Sequence, residues 1–297
     1  MGEKDIAEKT LESYNDVFAD IVNGLLFQGE KVISEEELED HAPRSHYKAD
    51  GRLREIERDV SKLWKKEHIR IAFLGFENQT EADPDIPLRV IGYDGVEYRA
   101  QLNEKNAKIR YPVITLVLYF GYKKHWNQAK SLLERMDVPE KFRPYVNDYK
   151  INLFEIAYLS REQVEYFKSD FRVVADYFVQ KRERNDYEPS PRELKHIQET
   201  LQMLSVMTGD RRFEEAYNDK NAKGGLHNMC DVLDRIEGKG FQRGIQNGVK
   251  QGRNERDMEY ILKMYNKNYP VEEIADLAGK TISEIYEVLK EKEVLLS

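Results

Sequence analysis

The chain has 297 residues, of which 34% are charged and 40% hydrophobic, and its 18 Tyr and 12 Phe supply enough apolar bulk for packed cores, which excludes global disorder. A single cysteine, Cys230, excludes an internal disulfide and Cys-rich zinc sites, and the six histidines show no ligand spacing. The net charge of −8 argues against binding nucleic acid through bulk charge, an objection that a metal-loaded carboxylate site with its basic residues on one face would escape.

No apolar run reaches the length of a membrane span, and the charged start MGEKDIAEKT lacks a secretory apolar region, so the expectation is a cytoplasmic protein with no membrane association. Residues 5–27 read as a helix, with Ile6, Leu11, Tyr14, Val17, Phe18, Ile21, Val22 and Leu25 at helical spacing and Gly29 ending the pattern. EEELED predicts a short acidic helical turn, and HAPRSHYKADGR an irregular loop. A first strand is predicted from Ile56 to Trp64 and a second from Ile69 into Glu77-Asn78-Gln79, the latter nearly continuously apolar, as in a strand buried on both faces. Pro87 to Asn106 returns to helical spacing, and the β-branched and aromatic run VITLVLYFG after Pro112 predicts a strand. Helices are expected at 127–135, 161–182 and 191–208, the last behind the helix-start pair Ser190-Pro191, and NDKNAKGG reads as a loop.

The tail differs in character. Gly240, Gly244, Gly248 and Gly252 recur every four residues among polar neighbours, so the stretch is either a weak helix steadied by a partner or a flexible connector, each glycine costing a helix about 1 kcal/mol relative to alanine. Three short helical stripes follow, with Gly279 between the second and third, in the outline of a helix-turn-helix. The third carries Glu284, Glu287, Glu291 and Glu293 against Lys290 and Lys292, which favours a helical packing or dimerisation module over DNA readout.

Asp59 and Glu77 fall on or at the end of neighbouring predicted strands, where two converging carboxylates would form the hard-oxygen site that Mg²⁺ prefers. Gln79 shares the face of Glu77; its amide can orient a water or a phosphate oxygen but cannot act as a base. Asp16 on the first helix is a candidate third carboxylate, with Asp20 one turn later as the fallback. Arg89, Tyr93, Glu97 and Gln101 follow i, i+4 spacing, and Arg89 and Gln101 are the candidate phosphate- and DNA-binding residues. The bland alternatives stay open on spacing alone: solvated charges near strand ends, Arg89 paired with Asp85, and Glu97 with Gln101 on a wet helix face.

Asn15-Asp16-Val17-Phe18, Arg58-Asp59-Val60, IAFLGFENQT, IPLRVIGYDGVEYRAQL and YPVITLVLYFG together resemble the Rpn family of recombination-promoting nucleases, also labelled transposases, a branch of the PD-(D/E)XK nuclease superfamily. The resemblance covers about residues 10–125. It implies an α/β fold with a restriction-endonuclease-like αβββαβ core over 1–135. The residue patterns after it predict a helical extension packed on the core over 136–237, the Gly-repeat connector over 238–254 and the small helical module over 255–297. The resemblance further implies Mg²⁺-dependent cleavage of DNA with little sequence specificity, promoting recombination, with one or two ions held by Asp59, Glu77 and, less securely matched, Asp16. Gln79 stands where the wider superfamily has lysine, and no Asp-Asp-Glu integrase pattern can be placed. The competing readings are a catalytically decayed DNA-binding protein acting through its tail, and a protein that self-associates through its C-terminal helices.

Overall fold

The apolar stripe of the N-terminal segment forms α1 (Asn15–Phe27), which buries Val17, Phe18, Ile21 and Val22. The chain leaves α1 through Gln28 and Gly29, both at positive φ, and the Gly29 N–H donates to the Asn23 carbonyl at 3.0 Å. Two asparagines of α1 then hold the returning segment. Asn23 Nδ2 donates to Ile33 O and its Oδ1 accepts from Val32 and Ile33, while Asn15 Nδ2 donates to the carbonyls of Glu35 and Leu38. The computed structural model describes residues 11–41, 44–49, 52–57, 59–66, 69–102, 109–218 and 225–291; the part of the first helix expected before residue 11 lies outside them.

The acidic turn is a 3-10 helix, Glu35–Glu37, and leads into β1 (Leu38–Asp40). The expected loop is instead a hairpin of β2 (Arg44–Ala49) and β3 (Arg52–Glu57), paired antiparallel with Arg44 opposite Glu57 and Ala49 opposite Arg52. Both strands are polar and lack the apolar alternation by which a hairpin is read. The strand expected from Ile56 to Trp64 is divided by a bend at Asp59, after which β4 (Val60–Lys66) begins. Next come β5 (Ile69–Gln79), α2 (Ile86–Leu102) and β6 (Val113–Tyr119).

β7 (Asn152–Glu155), inside the expected helical extension, completes a five-stranded sheet of order β1-β4-β5-β6-β7. The first two pairings are antiparallel and the last two parallel. One face of the β5–β6 centre carries Phe76 and Phe120. Phe18 of α1 stacks on Phe76 with centroids 4.3 Å apart, and Phe120 meets Phe171 and Phe178 of α5 (Phe171–Arg184), which follows α3 (Leu132–Arg135) and α4 (Arg161–Val164). Deleting such a buried ring costs about 3–5 kcal/mol. The opposite face is covered by α2, where Ile86 and Val90 pack with Val117, Tyr119 and Trp126.

Three of the expected helices are shorter than their patterns because tertiary bonds claim their backbone. Residues 130 and 131 pair with the segment before β7, through Ile151 N–H to Lys130 O and a bridge between Ser131 and Lys150, so only α3 remains of 127–135. The 161–182 pattern breaks between α4 and α5, where Asp20 of α1 accepts the N–H groups of Lys168 and Ser169. The 191–208 helix starts late, as α6 (Ile197–Thr208), because Leu194 N–H goes to His227 O and His196 N–H to Asp170. A short α7 (Arg212–Tyr217) packs Phe213 edge-on against Tyr177.

The chain divides into two compact units, Met1–Leu233 and Asp234–Ser297. The Gly-repeat stretch is helical throughout, within α8 (Met229–Tyr265). The second unit has its own core, in which Ile261 and Met264 of α8 meet Ile274 and Ala275 of α9 (Val271–Ala278) and Ile285 and Leu289 of α10 (Ile282–Glu291). Gly279, at φ +62, makes the turn between the last two helices. Among the described residues no helix is long and apolar enough to cross a membrane.

Candidate active site

The register of β4 and β5 decides which side chains converge. Val60 lies opposite Phe76, so Asp59, in the bend just before β4, comes level with Glu77. Asp59 Oδ2 accepts the Asn78 N–H at 2.7 Å, which ties the bend to the end of β5. Glu77 is 1% exposed, and Gln79, one pleat further, donates its amide Nε2 to Glu77 Oε1 at 3.2 Å.

The other wall is the i, i+4 row of α2, laid against the sheet rather than toward water. Arg89 Nη2 lies 2.5 Å from Glu77 Oε1, and Nη1 3.5 Å from Asp83. The partner foreseen for Arg89, Asp85, instead pairs with Arg135. Arg89 Nε and Nη2 also donate to the Tyr93 hydroxyl at 3.3 Å. Burial acts to lower the Arg89 pKa, but Glu77, Tyr93 and Asp83 outweigh it and raise it, so the guanidinium stays charged. Burial pushes the Tyr93 phenol up to about 12; Glu77 and Asp59 add to the shift while Arg89 opposes it. Tyr93 is therefore a neutral hydrogen-bonding group within electrostatic reach of both carboxylates.

Two sequence-predicted site residues are placed elsewhere. Gln101 is 1% exposed, and both amide heavy atoms bond one backbone residue: Nε2 donates to Tyr111 O at 3.0 Å and Oε1 accepts from Tyr111 N at 3.1 Å. The expected phosphate- and DNA-binding residue thus sits buried, anchoring the chain that leads into β6. Its neighbour in the row, Glu97, is also buried, accepting from the Tyr111 hydroxyl and facing His41, so the wet helix face is likewise corrected. Asp16 faces α6 rather than β5, taking Lys195 at 2.6 Å and His196 at 3.1 Å. Partial burial acts to raise its pKa, but those two partners hold it below the ordinary carboxylate range. The fallback, Asp20, is engaged with the backbone at Lys168 and Ser169.

The acid that the N-terminal segment brings to β5 is Glu12, fully buried, whose Oε2 accepts from Asn78 Nδ2 at 2.7 Å. Sequence reasoning missed it. The available clue was a charged residue directly beside Leu11 in an apolar stripe, a position that stays buried only with a polar partner.

Among the described residues no group of three or more His, Cys, Asp or Glu side chains has the arrangement of a metal cage. The end of β5 carries two hard carboxylates, Asp59 on the Asn78 N–H and Glu77 with an amide and a guanidinium beside it. That donor set fits Mg²⁺, which is commonly held by one or two carboxylates together with waters and substrate phosphate.

A family model described as putative transposase, YhgA-like, matches residues 36–207, more than half of the chain and including β1 through α6. No curated protein and no solved structure matches the chain.

Proposed function

The chain belongs to the YhgA-like putative transposase family, and from that membership we propose a metal-dependent endonuclease that cuts DNA phosphodiester bonds with little sequence specificity in mobile-element or recombination chemistry. The observation that carries this reading is that Asp59, tied to the end of β5 through the Asn78 N–H, and Glu77 both act electrostatically on Tyr93, with Arg89 on the Glu77 carboxylate. The order α1, three antiparallel strands (β1, β4, β5), α2 and parallel β6, with the β2–β3 hairpin inserted, supports a restriction-endonuclease-like αβββαβ core.

Asp59 and Glu77 would hold the cation, with Asp16, foreseen as a third ligand, needing to leave Lys195 and His196 to join them. A divalent ion bound there supplies an activated water and neutralises charge on the attacked phosphate. Arg89, 43% exposed, is the residue able to exchange Glu77 for a substrate phosphate, which its planar fork accepts bidentately. Tyr93 keeps the guanidinium beside the site while this happens. Gln79 orients the attacking water through its amide; it removes no proton, so the proton leaves to solvent or substrate oxygen.

The test is plasmid nicking with Mg²⁺, with Mg²⁺ replaced by EDTA, and with the Asp59→Ala/Glu77→Ala double variant. Nicking by the unmodified chain alone, abolished by EDTA, supports the reading. Equal nicking by the double variant sinks the assignment.

A second reading has its own observation. On α8, Phe241 (72% exposed), Ile245 (51%) and Val249 (50%) lie at i, i+4, i+8 beside the glycine row, an apolar stripe suited to self-association. A monomer in sedimentation equilibrium at micromolar concentration would remove it.

A further inference from the structure

Outside the carboxylate site, the cavity at the carboxyl ends of the parallel strands β5 and β6 has no role so far. We propose that it holds one nucleotide of the DNA strand flanking the scissile phosphate, an inference that rests on the nuclease reading and adds to it a place for the substrate.

Position is the first argument. The cavity, of about 490 Å³, is lined by Thr80 and Glu81 after β5, by the loop 120–128 after β6 and by the end of α6. The Phe120 N–H donates to the Gln79 carbonyl at 2.8 Å, so the wall of the cavity begins one residue from the candidate active site. Ligands of open α/β sheets bind in the crevice outside the carboxyl ends of parallel strands, and the volume falls in the ordinary range for a small-ligand pocket.

Chemistry is the second. Lys123 and Lys124 are exposed on the lining and, among the described residues, take part in no ion pair. They are available as point charges for a phosphate. The amides of Asn127 and Gln128 offer donors and acceptors of the kind that read base edges, and Tyr122 adds a half-buried ring. Glu81 is the carboxylate on the lining, so the lysines outnumber it.

Preorganisation is the third. The Tyr119 hydroxyl donates to Lys124 O at 3.1 Å, the Trp126 indole N–H to Gln128 O at 2.9 Å, and Glu155 accepts the Trp126 N–H at 2.7 Å. Gly121 is required for the first of these, since a Cβ there would collide with the Tyr119 side chain. The loop is thus fixed by buried aromatic side chains before any ligand arrives.

The test is fluorescence anisotropy with a labelled single-stranded oligodeoxynucleotide, in EDTA so that cleavage plays no part, using the full chain. Lys123→Glu/Lys124→Glu should lose at least tenfold, and Lys123→Gln/Lys124→Gln should reduce the dependence of log affinity on log salt by about 1.4, at about 0.7 per lost phosphate contact on a single strand. Lys31→Glu/Lys168→Glu, lining a separate groove, serves as the charge control and should bind as wild type. Equal binding by the Lys123/Lys124 variants, an equal loss in the control, or no binding by wild type overturns the proposal. Wild type that binds in this way but does not nick with Mg²⁺ would sink the nuclease reading and leave the pocket standing.

Discussion

Replacing Arg89 by methionine isolates the electrostatics of the candidate site. Glu77 is 1% exposed and has the Arg89 guanidinium at 2.5 Å, so the variant removes that cation from beside a buried carboxylate. Removing one partner of a fully buried pair costs about 3–5 kcal/mol. Arg89 is 43% exposed, and solvent already screens part of its charge, which brings the expectation down to about 2–3 kcal/mol. Glu77→Gln, which leaves an arginine that can turn to water, should cost less, about 1 kcal/mol. In the double variant no charge is stranded, so it should be no less stable than Arg89→Met alone, with a coupling of about 1–2 kcal/mol. The assay is urea unfolding in EDTA followed by tryptophan fluorescence, since Trp64 and Trp126, the two tryptophans of the chain, both lie in the first unit and report on it alone. With about 2–4 °C per kcal/mol for a unit of this size, Arg89→Met should melt roughly 4–12 °C lower. Mg²⁺ should then raise the midpoint of Arg89→Met more than that of wild type, because the ion no longer competes with the guanidinium. A coupling below about 0.5 kcal/mol would refute the idea that Arg89 is the counterion of Glu77, and an equal Mg²⁺ shift in both proteins would refute the competition.

Gln101→Leu should destabilise by about 2–4 kcal/mol, measured by urea unfolding, since it strands the buried N–H and C=O of Tyr111, while leaving Mg²⁺ affinity by calorimetry unchanged. Asp16 has a carboxyl held below its ordinary value, so its contribution is fully present above the unfolded pKa of about 3.9 and is lost as pH falls through the lower folded value. The Asp16→Asn variant should accordingly show a flatter acid limb of melting temperature against pH below about pH 4. Gly24→Ala should destabilise by about 1–3 kcal/mol despite alanine's better helix propensity, because the new Cβ would lie 2.5 Å from the buried ring of Phe167. Gly244→Ala and Gly248→Ala meet nothing within 4 Å and should each raise helicity by circular dichroism, stabilising α8 by up to about 1 kcal/mol.

Much of this protein was legible without coordinates wherever local pattern and burial agree. The continuous apolar run of β5, the β-branched run of β6, the stripes of α1 and α2 and the small helical core at the C-terminus each mark their own element. The period of two along β5 sets Glu77 and Gln79 two residues apart on one strand, while the spacing of the predicted strands pairs Asp59 with Glu77 as a candidate. Tertiary structure decided the rest, for reasons that act across the chain. The polar β2–β3 hairpin is specified by the pairing of its two strands, and the four residues of β7 become a strand through the open edge of β6. Helices that their own periodicity would extend stop where Asp20, Asp170 or the carbonyl of His227 takes an N–H group from far away in sequence. The fate of each polar side chain was decided in the same way: Gln101, Glu12 and Asp16 are ordinary polar residues on helical segments until packing sets Tyr111, Asn78 and Lys195 against them. Periodicity reports which face of an element avoids water, whereas the partner of a buried charge is fixed only when two elements distant in the chain are brought into contact.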